Sequence, residues 1–342
     1  MANGDTTASR LGVVNTTTDG SFAQDNSLFL KVFSGEILTT FEENNIMKDL
    51  HTIRTISNGK QAQFPATGIA TAKYHTAGQN IADSGNSYLS QIKHAEVTIN
   101  IDDVLLASTF IANIDELKNH YDVRSIYAAE LGKALAKRFD IATMKTLAAG
   151  ARTTTTITGG NGGISIDANS DLSTGAEFVD ALYLMAQKLD ENDIPSDDRY
   201  AILAPADYYQ LLTETDHVAN NRDFGGVGDV ARGIIPEVAG IKLFKSNHLA
   251  DVAVVEASQD QDDDNSNNDV FGGSGTGYNA NLSTTRILGG HKAGVGTVKL
   301  LDLATESEYK MELQGTLFVA KYAMGHGVIR PEACVEIKTG TD

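Results

Sequence analysis

Apolar positions along this chain recur with two periods, and one long stretch follows neither. Leu30, Phe33, Ile37 and Phe41 fall at steps of three, four and four, one face of a short amphipathic helix that Ser27 can cap. Val97, Ile99 and Ile101 alternate with Thr98 and Asn100, the pattern of a strand with one buried face. Asn113 stands three residues before Glu116 as a capping box. After it Val123, Tyr127, Leu131, Leu135, Phe139 and Ala142 repeat at three to four, while Arg124, Lys133, Lys137 and Asp140 lie off the stripe and Gly150 marks the stop. Continuous from 113 to 150, that helix is roughly 50 Å long, with room for a kink near Asp122. The Gly159, Gly160, Gly162, Gly163 cluster within 151–173 predicts strand and turn at a boundary. Thr174 and Glu177 form a second capping box, opening a helix whose stripe is Phe178, Leu182, Met185 and Leu189 and which ends before Pro195. A strand at 199–204 and a helix started by Pro205 follow. Further strands are predicted at 242–246, 252–257, 284–288, 297–301, 316–322 and 328–337, which makes the order α+β.

The exception lies between Arg54 and Ile101. Gly59, Gly68, Gly78 and Gly85 break it, Thr and Gln fill it, and Ile53, Ile56, Phe64, Ile69, Tyr74 and Ile81 are scattered singly. Such a segment has strand-like stretches but too few apolar side chains for a core of its own. It predicts a projecting hairpin arm that needs a partner's surface; with about 20 residues a side it would reach on the order of 60 Å.

Composition narrows the function. The chain has 342 residues, room for about two domains. A net charge of -18 and a pI near 4.8 argue against a broad electrostatic grip on nucleic acid or an anionic membrane, which rests on Lys and Arg. The single cysteine, Cys334, makes no intramolecular disulfide and reads as a small buried hydrophobe in a strand. Residues 1–27 are rich in Thr, Asn, Asp and Gly, without the basic cluster and apolar core of a signal peptide, and no window approaches the length of a membrane-spanning helix.

Candidate chemistry is thin. The acidic run Asp260, Asp262, Asp263, Asp264, Asn265, Asn267, Asn268, Asp269 offers oxygen ligands, but counted from Asp260 the glycine position of a calcium loop holds Asn265 and the bidentate carboxylate position holds Phe271. A solvated loop is the better reading. Gly226, Gly228 and Ala231 make a nominal dinucleotide fingerprint, preceded by polar residues rather than a strand. The eight histidines, at 51, 75, 94, 120, 217, 248, 291 and 326, show no metal-ligand spacing and read as surface or packing residues. No nucleophile elbow appears. Neither catalytic residue, metal nor cofactor is expected.

Five segments in order, LFLKVFSGEILTTF (28–41), ISNGKQAQFPATG (56–68), NHYDVRS (119–125), VGTVKLLDLA (295–304) and AKYAMGHGVIRPEA (320–333), resemble the major capsid proteins of T7-type short-tailed phages, within the Hong Kong 97 capsid fold. The resemblance implies an N-terminal arm at 1–53 and an extended β-hairpin loop at 54–100. It implies a peripheral domain with a long spine helix at 101–173 and 316–342, and an axial domain at 174–315 carrying the acidic Gly-rich insert 258–281. Inter-subunit contacts would then come from Lys60, Gln63, Phe64, Pro65 and Tyr74 on the extended loop and from Arg222, Asp223, Asp229 and Arg232 on an axial loop. The implied function is a structural one, self-assembly into pentamers and hexamers of an icosahedral shell. Its partners are scaffolding protein, portal protein and packaged double-stranded DNA that is enclosed without sequence-specific binding, with no membrane. Assembly in the host cytoplasm and residence in the virion capsid follow. The competing reading is a calcium-ordered acidic extracellular lattice or adhesion protein, which shares the Asp-rich loop but calls for a secretion signal; a nucleotide-binding enzyme comes third.

Overall fold

The computed structural model describes residues 45–68, 70–82, 88–89, 92, 94–114, 124–154, 161–168, 172–213, 233, 235, 237–249, 278 and 282–340. In chain order the strands are β1 (Thr52–Thr55), β2 (Gln61–Thr67), β3 (His94–Asn100), β4 (Leu105–Ala112), β5 (Ile164–Asp167), β6 (Arg199–Leu203), β7 (Glu237–Val238), β8 (Ile241–Lys245), β9 (Thr285–His291), β10 (Val295–Lys310), β11 (Gly315–Val328) and β12 (Cys334–Lys338). The helices are α1 (Arg124–Arg152), α2 (Gly175–Glu191) and α3 (Pro205–Thr213). The chain forms two compact units, one from residues up to 45 with 104–139 and 301–323, the other from 46–103, 140–300 and 324–342.

The larger unit is organised by a six-stranded mixed sheet in the order β5-β12-β9-β6-β8-β7. Its middle strand β6 is buried along its whole length, and it pairs antiparallel with β9 and parallel with β8. The second capping box is present as the sequence predicts: the Thr174 hydroxyl accepts from Glu177 N, and Glu177 Oε2 accepts from Thr174 N at 2.9 Å. With its free N–H groups satisfied, α2 lays Phe178, Leu182, Met185 and Leu189 against Ile164, Ile166, Ala201, Leu203, Ile287, Val335 and Ile337 of the sheet; all four stripe residues are fully buried. Pro205 opens α3 where a missing N–H costs nothing.

Apart from that sheet, β1 runs parallel to the start of β10, Thr52 opposite Gly296 through Thr55 opposite Lys299. A polar network closes around it. Asp140, on α1 and fully buried, accepts N–H bonds from Ile46 at 3.1 Å and Met47 at 3.2 Å and pairs with His248 Nδ1 at 3.0 Å. His51 Nδ1 donates to the Met47 carbonyl at 2.5 Å, so its Nε2 accepts from the Thr297 hydroxyl at 2.7 Å, and the Thr297 oxygen accepts from His326 Nδ1 at 2.8 Å. Burial holds both imidazoles below their ordinary pKa, His326 at about 3.

In the smaller unit β4 runs antiparallel to β11, from Ala112 opposite Gly315 to Leu105 opposite Tyr322. Ile111 is buried there with Tyr127 and Phe318 packed on it. Asn113 N donates to Gln314 O at 3.0 Å, and Lys321 meets Glu306 at 2.7 Å.

Three expectations need correction. The single strand expected at 328–337 is broken: a 3-10 turn at Pro331–Ala333 separates β11 from β12, because Pro331 has no N–H to give a ladder and fits the first position of a helical turn. The strands expected at 297–301 and 316–322 are the middles of longer ones, 16 and 14 residues; charged residues and glycines hid the ends, although Gly327 is where the side chain of Ile99 comes closest. Asp140, placed off the helix stripe with the charged positions, is a buried cap. The helix predicted at 27–41, the box partner Glu116, the strand at 252–257 and the acidic run 260–269 lie outside the described residues.

Candidate functional site

The segment that lacked either period does contain a hairpin, shorter than its length suggested. β2 and β3 pair antiparallel from Gln61 opposite Asn100 to Thr67 opposite His94, seven residues on each side. At about 3.3 Å per residue the ladder spans on the order of 23 Å, not 60. Residues 68, 70–82, 88, 89 and 92 carry no strand, since Gly68 and Gly78 interrupt the alternation that a longer ladder needs.

The base of the hairpin is fixed. Ala62 and Ile99 are opposite each other and both buried. A Cβ on Gly327 would lie 2.7 Å from Ile99 Cγ1, and one on Gly296 would sit 3.4 Å from Ile99 Cδ1, so two glycines on β10 and β11 make the seat for that side chain. Arg54 Nη1 donates to the Gln63 carbonyl at 2.8 Å while its guanidinium lies 5.6 Å from the Phe64 ring centroid. Ile101 N donates to Lys60 O, and Ile56 N to Lys299 O, each at 2.9 Å. Pro65 stands on the exposed side of β2, a two-stranded ladder where a missing donor is tolerated.

Beyond the base the character changes. Every described residue from 70 to 82 is exposed. Four large apolar side chains face solvent: Tyr74 at 102%, Ile81 at 55%, Leu89 at 64% and Ile92 at 50%. All four stand in the stretch between the two strands of the hairpin. The loop nevertheless has local order. Gln79 N donates to Thr76 O at 3.2 Å across a turn with Gly78 at φ +89°, a conformation that suits glycine. Tyr88 bridges the same turn, accepting from Thr76 N at 3.2 Å and donating to Gln79 Oε1, and those Thr76 bonds hold the phenol below its ordinary pKa.

Of the nine residues proposed from sequence, Lys60, Gln63, Phe64 and Pro65 sit together on or beside β2, Phe64 half-buried and the other three exposed. Tyr74 stands apart on the outer loop. Arg222, Asp223, Asp229 and Arg232 lie outside the described residues. Sequence reasoning passed over Tyr88, Leu89 and Ile92, although three such residues within five positions of an otherwise polar stretch were a usable signal. Among the described residues no group of His, Cys, Asp and Glu could hold a metal ion, and no helix is long and apolar enough to cross a membrane.

The chain combines an anchored hairpin, a six-stranded mixed sheet and a long helix. The chain superposes on the subunit in the capsid structure of the cyanophage P-SCSP1u with a TM-score of 0.75 at 38% identity, covering 99% of this chain and 100% of that one. The subunit of the bacteriophage PhiM1 mature capsid has the same fold, with a TM-score of 0.69 at 18% identity over 92% of each chain. The protein is thus a capsid protein of the Hong Kong 97 type.

The sequence model of the Gp10A-like major capsid proteins matches residues 63–338. The chain is 33% identical over 322 residues to the major capsid protein of Escherichia phage T7, covering 90% of each. It belongs to this family of phage major capsid proteins, structural components of the virion that associate with their own copies.

Proposed function

We propose that the chain builds the pentamers and hexamers of an icosahedral shell around packaged double-stranded DNA, with the β2–β3 loop as a principal contact between subunits. The observation that carries this is the contrast within one segment: a base tied down by Ile99, Arg54 and the β2–β3 ladder, and an outer part that exposes Tyr74, Ile81, Leu89 and Ile92. Four large exposed side chains within one loop, beyond an anchored base, support a surface that a partner covers. Lys60, Gln63, Phe64, Pro65 and Tyr74 belong to that contact, while Arg222, Asp223, Asp229 and Arg232 belong to a second one about the capsomer axis.

On this reading 1–53 is the N-terminal arm, 54–100 the extended loop, 101–173 with 316–342 the peripheral domain, and 174–315 the axial domain. Scaffolding and portal proteins take part in assembly in the host cytoplasm. The role is mechanical, without catalysis or cofactor: many modest contacts add up to a stable shell while each is weak enough to anneal. A net charge of -18 keeps the shell from retaining DNA that must move into it.

The test is a shortened loop. Joining Gly68 to Lys93 through an Asn-Gly turn keeps the β2–β3 ladder and removes the outer part. The expected product is a soluble subunit with the parent's circular dichroism that sediments without closed shells. Normal shells from the shortened chain would overturn the proposal.

A further inference from the structure

Among the described residues of the outer loop, a set of hydrogen bonds meets at one point. Tyr88 takes a hydrogen bond from Thr76 N at 3.2 Å and gives one to Gln79 Oε1. The Gln79 carbonyl accepts from His75 Nε2 at 2.8 Å, and Gln79 N closes the turn on Thr76 O at 3.2 Å. The His75 ring lies against the Tyr88 ring, centroids 5.2 Å apart and planes at 52°. Asn80 Oδ1 caps the next bend by accepting from Ala82 N at 3.0 Å. Every one of these partners lies between residues 75 and 88, so none of the bonds attaches the loop to the sheet or to α1.

The side chains flanking this cluster are the exposed apolar ones. Tyr74 precedes His75, Leu89 follows Tyr88, and Ile81 follows the Asn80 bend. We propose that Tyr88 is a positioning residue for assembly: its hydroxyl pins the 75–79 turn to the returning side of the loop at Tyr88, so that Tyr74, Ile81 and Leu89 are presented in one fixed arrangement to a second copy of this chain. The occupant is a second copy because the family assembles from its own subunits, and the inference rests on the reading of the loop as an inter-subunit contact. A loop without the pin would have to be ordered at each docking event, an entropic cost that weakens every contact in the shell. A loop ordered in advance avoids it.

The experiment compares three variants of the full chain by the concentration at which closed shells first appear in sedimentation. Tyr88→Phe keeps the ring and removes both hydroxyl bonds; shells should then need about tenfold more protein, with unchanged circular dichroism and melting temperature. Ala77→Pro, at the turn position where proline fixes the backbone, should return the Tyr88→Phe chain to near the parent's threshold. A residue that merely stabilised the fold would not be rescued by a proline in an exposed loop. The third variant, Tyr74→Ser with Ile81→Ser and Leu89→Ser, should form no shells. Normal assembly of that triple variant would overturn the contact reading itself. Loss of assembly in the triple variant together with a parental threshold for Tyr88→Phe would overturn the pin and leave the contact reading standing. Failure of Ala77→Pro to rescue would overturn pre-ordering as the cause.

Discussion

Glu336 and Arg152 meet in a paired contact inside the larger unit: Arg152 Nε and Nη2 each donate to a carboxylate oxygen at 2.7 Å, and the Thr285 hydroxyl adds a third bond at 2.5 Å. Glu336 has no exposed surface, whereas the Arg152 side chain retains 22%. The pair joins the last residue of α1 to β12, the strand between β5 and β9.

Removing one member leaves a buried charge uncompensated, while replacing both removes the desolvation cost together with the attraction. Arg152→Ala should therefore destabilise the unassembled subunit by about 3–5 kcal/mol. Arg152→Met with Glu336→Leu should recover most of that loss. Urea unfolding of the three chains checks the order.

The buried histidines set a pH dependence. His51 and His326 have folded-state pKa values below the ordinary 6.5, His326 near 3, because burial disfavours the imidazolium. Above about pH 6.5 both are neutral whether folded or unfolded, and their contribution to stability is fully present. As the pH falls below that value the unfolded chain binds protons that the folded chain refuses, and stability drops, for His326 by up to about 1.4 kcal/mol per pH unit. For His326 the loss continues to about pH 3. Between pH 6.5 and 5, before most carboxylates titrate, the His326→Gln chain should show a visibly shallower decline in urea midpoint than the parent.

Tyr200 is fully buried, and its hydroxyl is the single buried side-chain oxygen or nitrogen without a hydrogen-bond partner among the described residues. An unsatisfied phenol forfeits its bonds to water and gains nothing in exchange. Tyr200→Phe should raise stability by about 1 kcal/mol, read as a higher melting temperature with unchanged far-ultraviolet circular dichroism. A lower melting temperature would show that the hydroxyl has a partner in solution.

Cys334 is a packing residue, as the sequence predicts, on a strand whose first four residues are all buried. It is buried and free, burial pushes its thiol pKa up, and a Cβ built on either Gly150 or Gly294 would come within 2.8 Å of Sγ. The space around the sulfur is thus closed on two sides. Cys334→Ala should cost about 1 kcal/mol and Cys334→Val more, because its second methyl has no room. Reductant should change neither assembly nor melting temperature; dissolution of shells by reductant would require an intermolecular disulfide instead.

Much of the fold was legible in the order of residues because the signals were local. The Thr174–Glu177 box, the Phe178, Leu182, Met185, Leu189 stripe, the Pro205 start and the Val97, Ile99, Ile101 alternation each depend on neighbours within about two helical turns, and each stands in the structure as read. The outer loop was legible for a complementary reason: the stretch between the two strands, without either period, offers no face to bury. What the sequence left open needed partners far away along the chain. Asp140 looks like a solvated helix residue until Ile46, Met47 and His248 arrive, 94, 93 and 108 positions distant. Glu336 looks like the outward position of a strand until Arg152 is placed beside it, 184 residues away. Periodicity assigns a polar residue to the surface because burying it alone is costly, and only tertiary structure decides which polar residues have that cost met by a partner. The same holds at the loop, where local spacing identified a segment that cannot fold alone but folding decided that Ile99 would anchor its base and that Tyr74, Ile81 and Leu89 would face water.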